Sequence, residues 1–201
     1  MFITVILYFR SVETLRNGQY VSHDVIDGMT YYLQTTSQYK ASTSLVNRSI
    51  TAAILSSTND MDHTVECPES VGRTDEVVLI GFVANRSVLF HVDKTDKTFK
   101  VYNSFLDPQN QRPDYLECMN RVCKWIDKCT AKHAAASQNS KIWKLDTNYD
   151  FPIAHVGTDS TVLMLFQAQH IMSYGNNVNM DPIPQDARTL LFNCLCPNVC
   201  H

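Results

Sequence analysis

A chain of 201 residues is long enough for one domain with a sizeable core, and no Pro-, Gly- or Ser-rich linker divides it. With 44% hydrophobic and 18% charged residues it is not a disordered segment. A net charge of −3 argues against a protein that reads nucleic-acid backbones, which carries a basic stripe.

The opening run, residues 1–9, is apolar but has neither a basic start nor a small-residue cleavage site. It falls far short of the roughly 18 apolar residues of a membrane span, and no later stretch reaches that length, so no membrane partner is expected. The run is expected to be a buried first strand. Seven cysteines are an odd number without the regular framework of a small secreted scaffold, and they read as reduced thiols in the cytoplasm or nucleus. The sequons Asn47-Arg48-Ser49 and Asn85-Arg86-Ser87 then carry no glycan.

Asn17-Gly18 is turn chemistry, and Ser22 is a fair N-cap for a helix running to Leu33. Val25, Ile26, Met29 and Leu33 give that helix one apolar face. A polar stretch follows with a short helix near residues 50–55, and residues 58–74 have the composition of a surface loop. Residues 76–83 form a nearly continuous apolar run, expected of a strand covered on both faces. Residues 87–93 and 98–102 make two more strands, joined by the turn 94–97, to give a three-strand meander. Pro113 and Asp114 suit the first turn of a helix to about residue 135, with Leu116, Met119, Cys123 and Ile126 on its apolar side. Residues 141–145 are expected as a strand, 159–172 as a strongly apolar helix and 185–195 as a last helix. There is no internal repeat.

Four pieces, taken in order, carry a resemblance. They are the segment 15–29; Asn85-Arg86-Ser87 through Asp93 with Tyr102-Asn103-Ser104-Phe105; Trp143 with the loop from Phe151-Pro152 to Asp159-Ser160-Thr161; and Arg188. Together they resemble the ubiquitin-like-protein-specific (SUMO/sentrin-specific) cysteine proteases. The match runs over residues 10–195 of a single domain, 1–201, and each motif alone is weak. The resemblance implies an α+β, papain-like fold with a central mixed sheet packed against helices. It also implies a cysteine peptidase that takes a ubiquitin-like modifier and needs no cofactor.

The same resemblance implies that the catalytic letters are exchanged. The family places its base, a histidine usually followed by tryptophan, seven residues before the Asp that closes its strand; here Arg86 and Ser87 stand there. Asn103 replaces the orienting aspartate, Ala154 the oxyanion glutamine, and Ser160 the nucleophilic cysteine. A helix N-terminus favours a thiolate, whereas a serine hydroxyl needs a positioned base to take its proton. Arg86 stays protonated and cannot be that base. Asparagine can orient an imidazole, but Arg86 offers none to orient. Losing one oxyanion donor costs about 2.7–4 kcal/mol of transition-state stabilisation. Little or no peptidase activity is expected.

A histidine elsewhere would have to rescue the chemistry. Strand alternation points His91 away from the face of Arg86. His155 lies in the loop before Ser160 and is the better-placed substitute, although a solvent-exposed loop histidine is the plainer reading. His23 and His170 read as helix-surface or core-edge residues. Cys194, Cys196, Cys200 and His201 crowd four potential zinc ligands into eight residues without the usual second knuckle, so no metal is expected. Asp159 is expected to accept backbone N–H bonds at the start of the Ser160 helix.

Three functions follow as expectations. The first is a pseudoenzyme that binds a ubiquitin-like modifier or another protein, with Ser87, His155 and Trp143 as candidate binding residues. The second is an active peptidase of the deSUMOylating or deubiquitinating type, using Ser160 with a relocated base. The third is a structural interaction domain derived from a mobile-element protease.

Overall fold

Five segments pair into one sheet in the computed structural model, which describes residues 9–36, 42–57, 65–84, 86–104, 115–133, 141–147, 157–174 and 186–196. In chain order the elements are α1 (Phe9–Arg16), α2 (His23–Thr35), β1 (Thr43–Val46), α3 (Arg48–Ser56), α4 (Glu69–Arg73), β2 (Glu76–Val83), β3 (Arg86–Asp93) and β4 (Thr98–Tyr102). After them come α5 (Tyr115–His133), β5 (Lys144–Thr147), a 3-10 turn (Gly157–Asp159), α6 (Ser160–Tyr174) and α7 (Ala187–Leu195). The described residues fall into two compact units: Ala41–Tyr102 with Asp107–Asp150, and Met1–Lys40 with Asn103–Leu106 and Phe151–His201.

The first unit is built on the sheet, in the order β1-β2-β3-β4-β5. The meander β2–β3–β4 is antiparallel, as the turn-joined apolar runs predict, while β1 on β2 and β5 on β4 are parallel. Parallel neighbours need a crossover. The chain supplies α3 and α4 for the first pair and α5 for the second. Val77, Leu79, Phe90, Val92, Phe99 and Val101 thus share a core with Trp125, Ile126 and Cys129 of α5. The opposite side of the strands is buried too: Val78, Ile80 and Leu89 have no exposed surface. Val83 pairs with Arg86, and Ala84 between them sits at φ +50°, in the left-handed region. Asn47 caps α3 by accepting from the Ile50 N–H at 2.9 Å.

The second unit is helical. Val25, Ile26, Met29 and Leu33 are buried along α2, as their spacing predicts. Ser22 holds the N-cap position, but its side chain makes no capping bond; its carbonyl accepts from Val25 and Ile26 instead. Gly18, at φ +64°, supplies the turn between α1 and α2. Most of α6 is buried, and α7 packs against α1, α2 and α6.

Several expectations need correction. The polar stretch before α3 contains a strand, β1, whose hydroxyls find partners: Thr43 Oγ1 donates to Glu76 Oε2 at 3.3 Å and Ser44 Oγ to Ser70 Oγ at 3.0 Å. The expected loop 58–74 contains α4, whose last carbonyls are held by Lys94, with Nζ 2.9 Å from Val71 O and 3.1 Å from Gly72 O. The last strand begins at Lys144 rather than at residue 141. Leu116 is 52% exposed, because the buried stripe of α5 starts at Tyr115. Phe9 is helical, and the rest of the expected first strand lies outside the described residues, as do Pro113 and Asp114.

Candidate functional site

Arg86 and Ser87 open β3 in the sheet unit, directly across from Val83 and Phe82. Ser87 is buried and Arg86 partly so. Leu89 pairs with Tyr102, so the start of β3 and the end of β4, which Asn103 directly follows, lie at the same end of the sheet. His91 is on the face opposite Arg86 by strand alternation. Only 1% of it is exposed, and its Nε2 lies 3.3 Å from Glu76 Oε2, the oxygen that also accepts from Thr43. Its Nδ1 is buried with no partner among the described residues. His91 therefore belongs to the packing of β1–β3.

Trp143 is engaged in the same unit. Its Nε1–H donates to Asp127 Oδ2 at 3.0 Å, and Lys97 Nζ stands 4.2 Å from its ring centroid. Lys97 closes the group with a 2.6 Å contact to Asp127 Oδ1. These contacts fasten the approach to β5 onto α5 and the β3–β4 turn. Burial depresses the Lys94 pKa beneath its ordinary value, against the opposing effect of Asp75.

Ser160 heads α6 in the helical unit, directly after the 3-10 turn. A helix start leaves its first N–H groups without intrahelical partners and concentrates positive dipole there. The chain after β4 reaches this point: Ser104, completely buried, donates from Oγ to the Ser160 carbonyl at 3.2 Å. Asn103 next to it is partly exposed, as is Ser160. Tyr102 and Ser104 are buried, whereas Arg86, Asn103 and Ser160 are each partly exposed.

Asp159 also pairs with a cation. Its carboxylate faces Arg188 of α7, with Nε 2.8 Å and a second guanidinium nitrogen 2.6 Å away. The same guanidinium donates to Thr158 O at 2.8 Å, Gln19 O at 3.0 Å and Thr14 O at 3.2 Å. One side chain therefore holds the turn that leads into Ser160 and satisfies carbonyls at the end of α1. Arg188 and Asp159 both stand out in the sequence, but nothing there pairs them; 29 residues separate them.

Ala154 and His155 lie outside the described residues, as do Cys200 and His201. Cys194 and Cys196 are half-buried and in no disulfide among the described residues, and burial pushes the Cys194 pKa up. Among the described residues no group of three or more His, Cys, Asp or Glu side chains could hold a metal ion. No helix among them is long and apolar enough to cross a membrane.

The sequence matches no protein-family model and no curated protein. Solved structures do share the fold. SUMO protease Ulp1 with its catalytic cysteine oxidised to a sulfinic acid aligns with a TM-score of 0.67 at 16% identity, covering 98% of this chain and 85% of that one. The C-terminal Ulp1 protease domain in complex with Smt3, the yeast ortholog of SUMO, aligns at 0.66 and 16% identity over 97% of this chain and 84% of that one. The catalytic domain of the Ulp1-like SUMO protease of Chaetomium thermophilum gives 0.53 at 11% identity over 89% and 73%. Over nearly its whole length, the chain has the α+β fold of the Ulp1-type SUMO proteases.

Proposed function

We propose that this chain is a non-catalytic relative of the SUMO and ubiquitin-like-protein proteases, a pseudoenzyme that binds a ubiquitin-like modifier or another protein without cleaving it. The observation that carries the reading is Ser160 at the head of α6, in a chain with this fold and with Arg86 opening β3. A helix N-terminus helps a thiol ionise, but a hydroxyl there stays protonated until a base takes its proton. Arg86 occupies the position at which the resemblance puts that base, and a guanidinium accepts no proton at neutral pH. The loss of chemistry is then a loss of proton transfer, with the scaffold kept. Ulp1 solved with Smt3 supports a modifier as the class of partner. The odd cysteine number without a secreted-scaffold framework supports the cytoplasm or nucleus as the compartment.

The test uses a fluorogenic substrate carrying the SUMO or ubiquitin C-terminus, with calorimetric titration of the intact modifiers alongside. The expected result is no turnover by the wild type or by Ser160→Ala, and saturable binding of a modifier. Turnover that Ser160→Ala abolishes overturns the reading, as does labelling of Ser160 by a fluorophosphonate, which reacts with an activated serine. Failure to bind any modifier removes the modifier as partner and leaves another protein in its place.

A further inference from the structure

Trp125, Cys129 and His133 recur every four residues on α5 and so form one stripe along it. All three meet the same short segment of the sheet unit. Trp125 Nε1–H donates to Glu66 O at 3.1 Å, and His133 Nε2 lies 3.3 Å from Cys67 O. Between these two anchors Cys129 lies close enough to Cys67 for the two thiols to influence each other, while the Cys67 Sγ lies 4.0 Å from Val65 O. Three successive turns of α5 thus face two consecutive residues, with Cys129 as the middle one of the three. The other side of Cys129 is equally fixed. A Cβ on Gly72 would stand 2.8 Å from Cys129 O and 2.5 Å from His133 Cβ, so α4 is pressed directly onto these turns. Both cysteines are free thiols; Cys129 is completely buried and Cys67 only partly. Nothing in the proposed function uses them.

We propose that Cys67 and Cys129 form an oxidation site, a thiol pair that hydrogen peroxide converts into an intramolecular disulfide. Cys67 is the sulfur that peroxide reaches. It attacks the O–O bond, an S–O bond forms, and water leaves to give a sulfenic acid. The Cys129 sulfur then attacks the Cys67 sulfur. The S–S bond forms, the S–O bond breaks, and a second water departs with the Cys129 proton. Two thiols are oxidised and one peroxide is reduced to two waters. Burial pushes the Cys129 thiol far above its ordinary pKa, which makes it inert to dissolved oxidant and leaves Cys67 as the point of entry. The new bond would staple the segment before α4 to the C-terminal part of α5. In a reducing compartment such a bond is transient, as in a redox sensor.

The experiment treats the protein with hydrogen peroxide, alkylates the remaining thiols, digests without reduction and reads the peptides by mass spectrometry. The expected product is one cross-linked peptide pair joining Cys67 to Cys129, lighter by two hydrogen atoms and restored by dithiothreitol. Cys67→Ser should lose the cross-link and leave Cys129 as a thiol; this variant changes a partly exposed side chain, so its reading does not depend on repacking the core. Cys129→Ala should leave Cys67 as a sulfenic acid that dimedone traps. A wild type that keeps both thiols alkylatable after peroxide overturns the proposal. So does one that stops at Cys67 sulfenic or sulfinic acid without a cross-link, or that links Cys67 to a different cysteine.

Discussion

The sheet unit and the helical unit solve the problem of unpaired backbone groups in different ways. In the sheet unit the ladders from β1 to β5 consume the carbonyls and N–H groups of the central strands. Phe90, Phe99, Trp125 and Ile126 then fill the space beside them with little or no exposed surface. The helical unit has an apolar core as well, but its helix ends leave carbonyls that no ladder can reach. There Arg188, with a side chain 17% exposed, gathers Asp159 and the carbonyls of Thr14, Gln19 and Thr158. Packing is spread over many residues in the first unit, while much of the polar closure in the second rests on one side chain.

The sharpest way to break this contrast is to remove one large side chain from the sheet core. Phe90→Ala deletes a ring that is fully buried and lies 5.2 Å from the ring of Phe99. Denaturant unfolding should show a loss of about 3–5 kcal/mol, with faster amide exchange in β2–β4. Arg188→Met keeps most of the apolar stem and removes the guanidinium. Because Asp159 is 40% exposed, the expected loss is about 2–3 kcal/mol, less than for a wholly buried pair. Exchange should rise at the end of α1 and at the turn before α6, and a uniform rise across the molecule would refute the local role. Gly72→Ala drives a methyl into Cys129 O and His133 Cβ, and thermal unfolding should report about 1–3 kcal/mol of destabilisation. Leu116→Gln tests the weakest point of the periodicity reading: for a side chain this exposed, the change should stay within about 0.5 kcal/mol.

The same contrast explains what could be read from the sequence. β2 and β4 have the expected bounds because their apolar runs are closed off by turns. β1 escaped because two of its four residues are Thr43 and Ser44, buried only through partners on β2 and α4. α4 is five residues long and contains Gly72, too short for a period to show and with a residue that usually signals a loop. Leu116 fits the arithmetic of an apolar face but lies off the stripe that begins one residue earlier. In α6, consecutive residues Val162 to Leu165 are all buried, so length and hydropathy, rather than any period, mark the helix.

The candidate site was legible only where it depends on local chemistry. Ser160 at a helix start follows from the sequence around it. The Arg188–Asp159 pair, the Ser104 bond to Ser160 and the Glu76 contact of His91 join residues far apart in the chain, and no window of sequence contains both partners.

Only two residues separate the paired Val83 and Arg86, and one of them, Ala84, already holds a backbone shape that costs an L-amino acid about 1–2 kcal/mol. That hairpin has no slack. To bring the imidazole of His91 round to the side occupied by Arg86, β3 would have to slip by one residue, which would invert every side chain along it and expel Val88, Phe90 and Val92 from their places. A proton acceptor can therefore reach that side of the strand by substitution, and never by sliding.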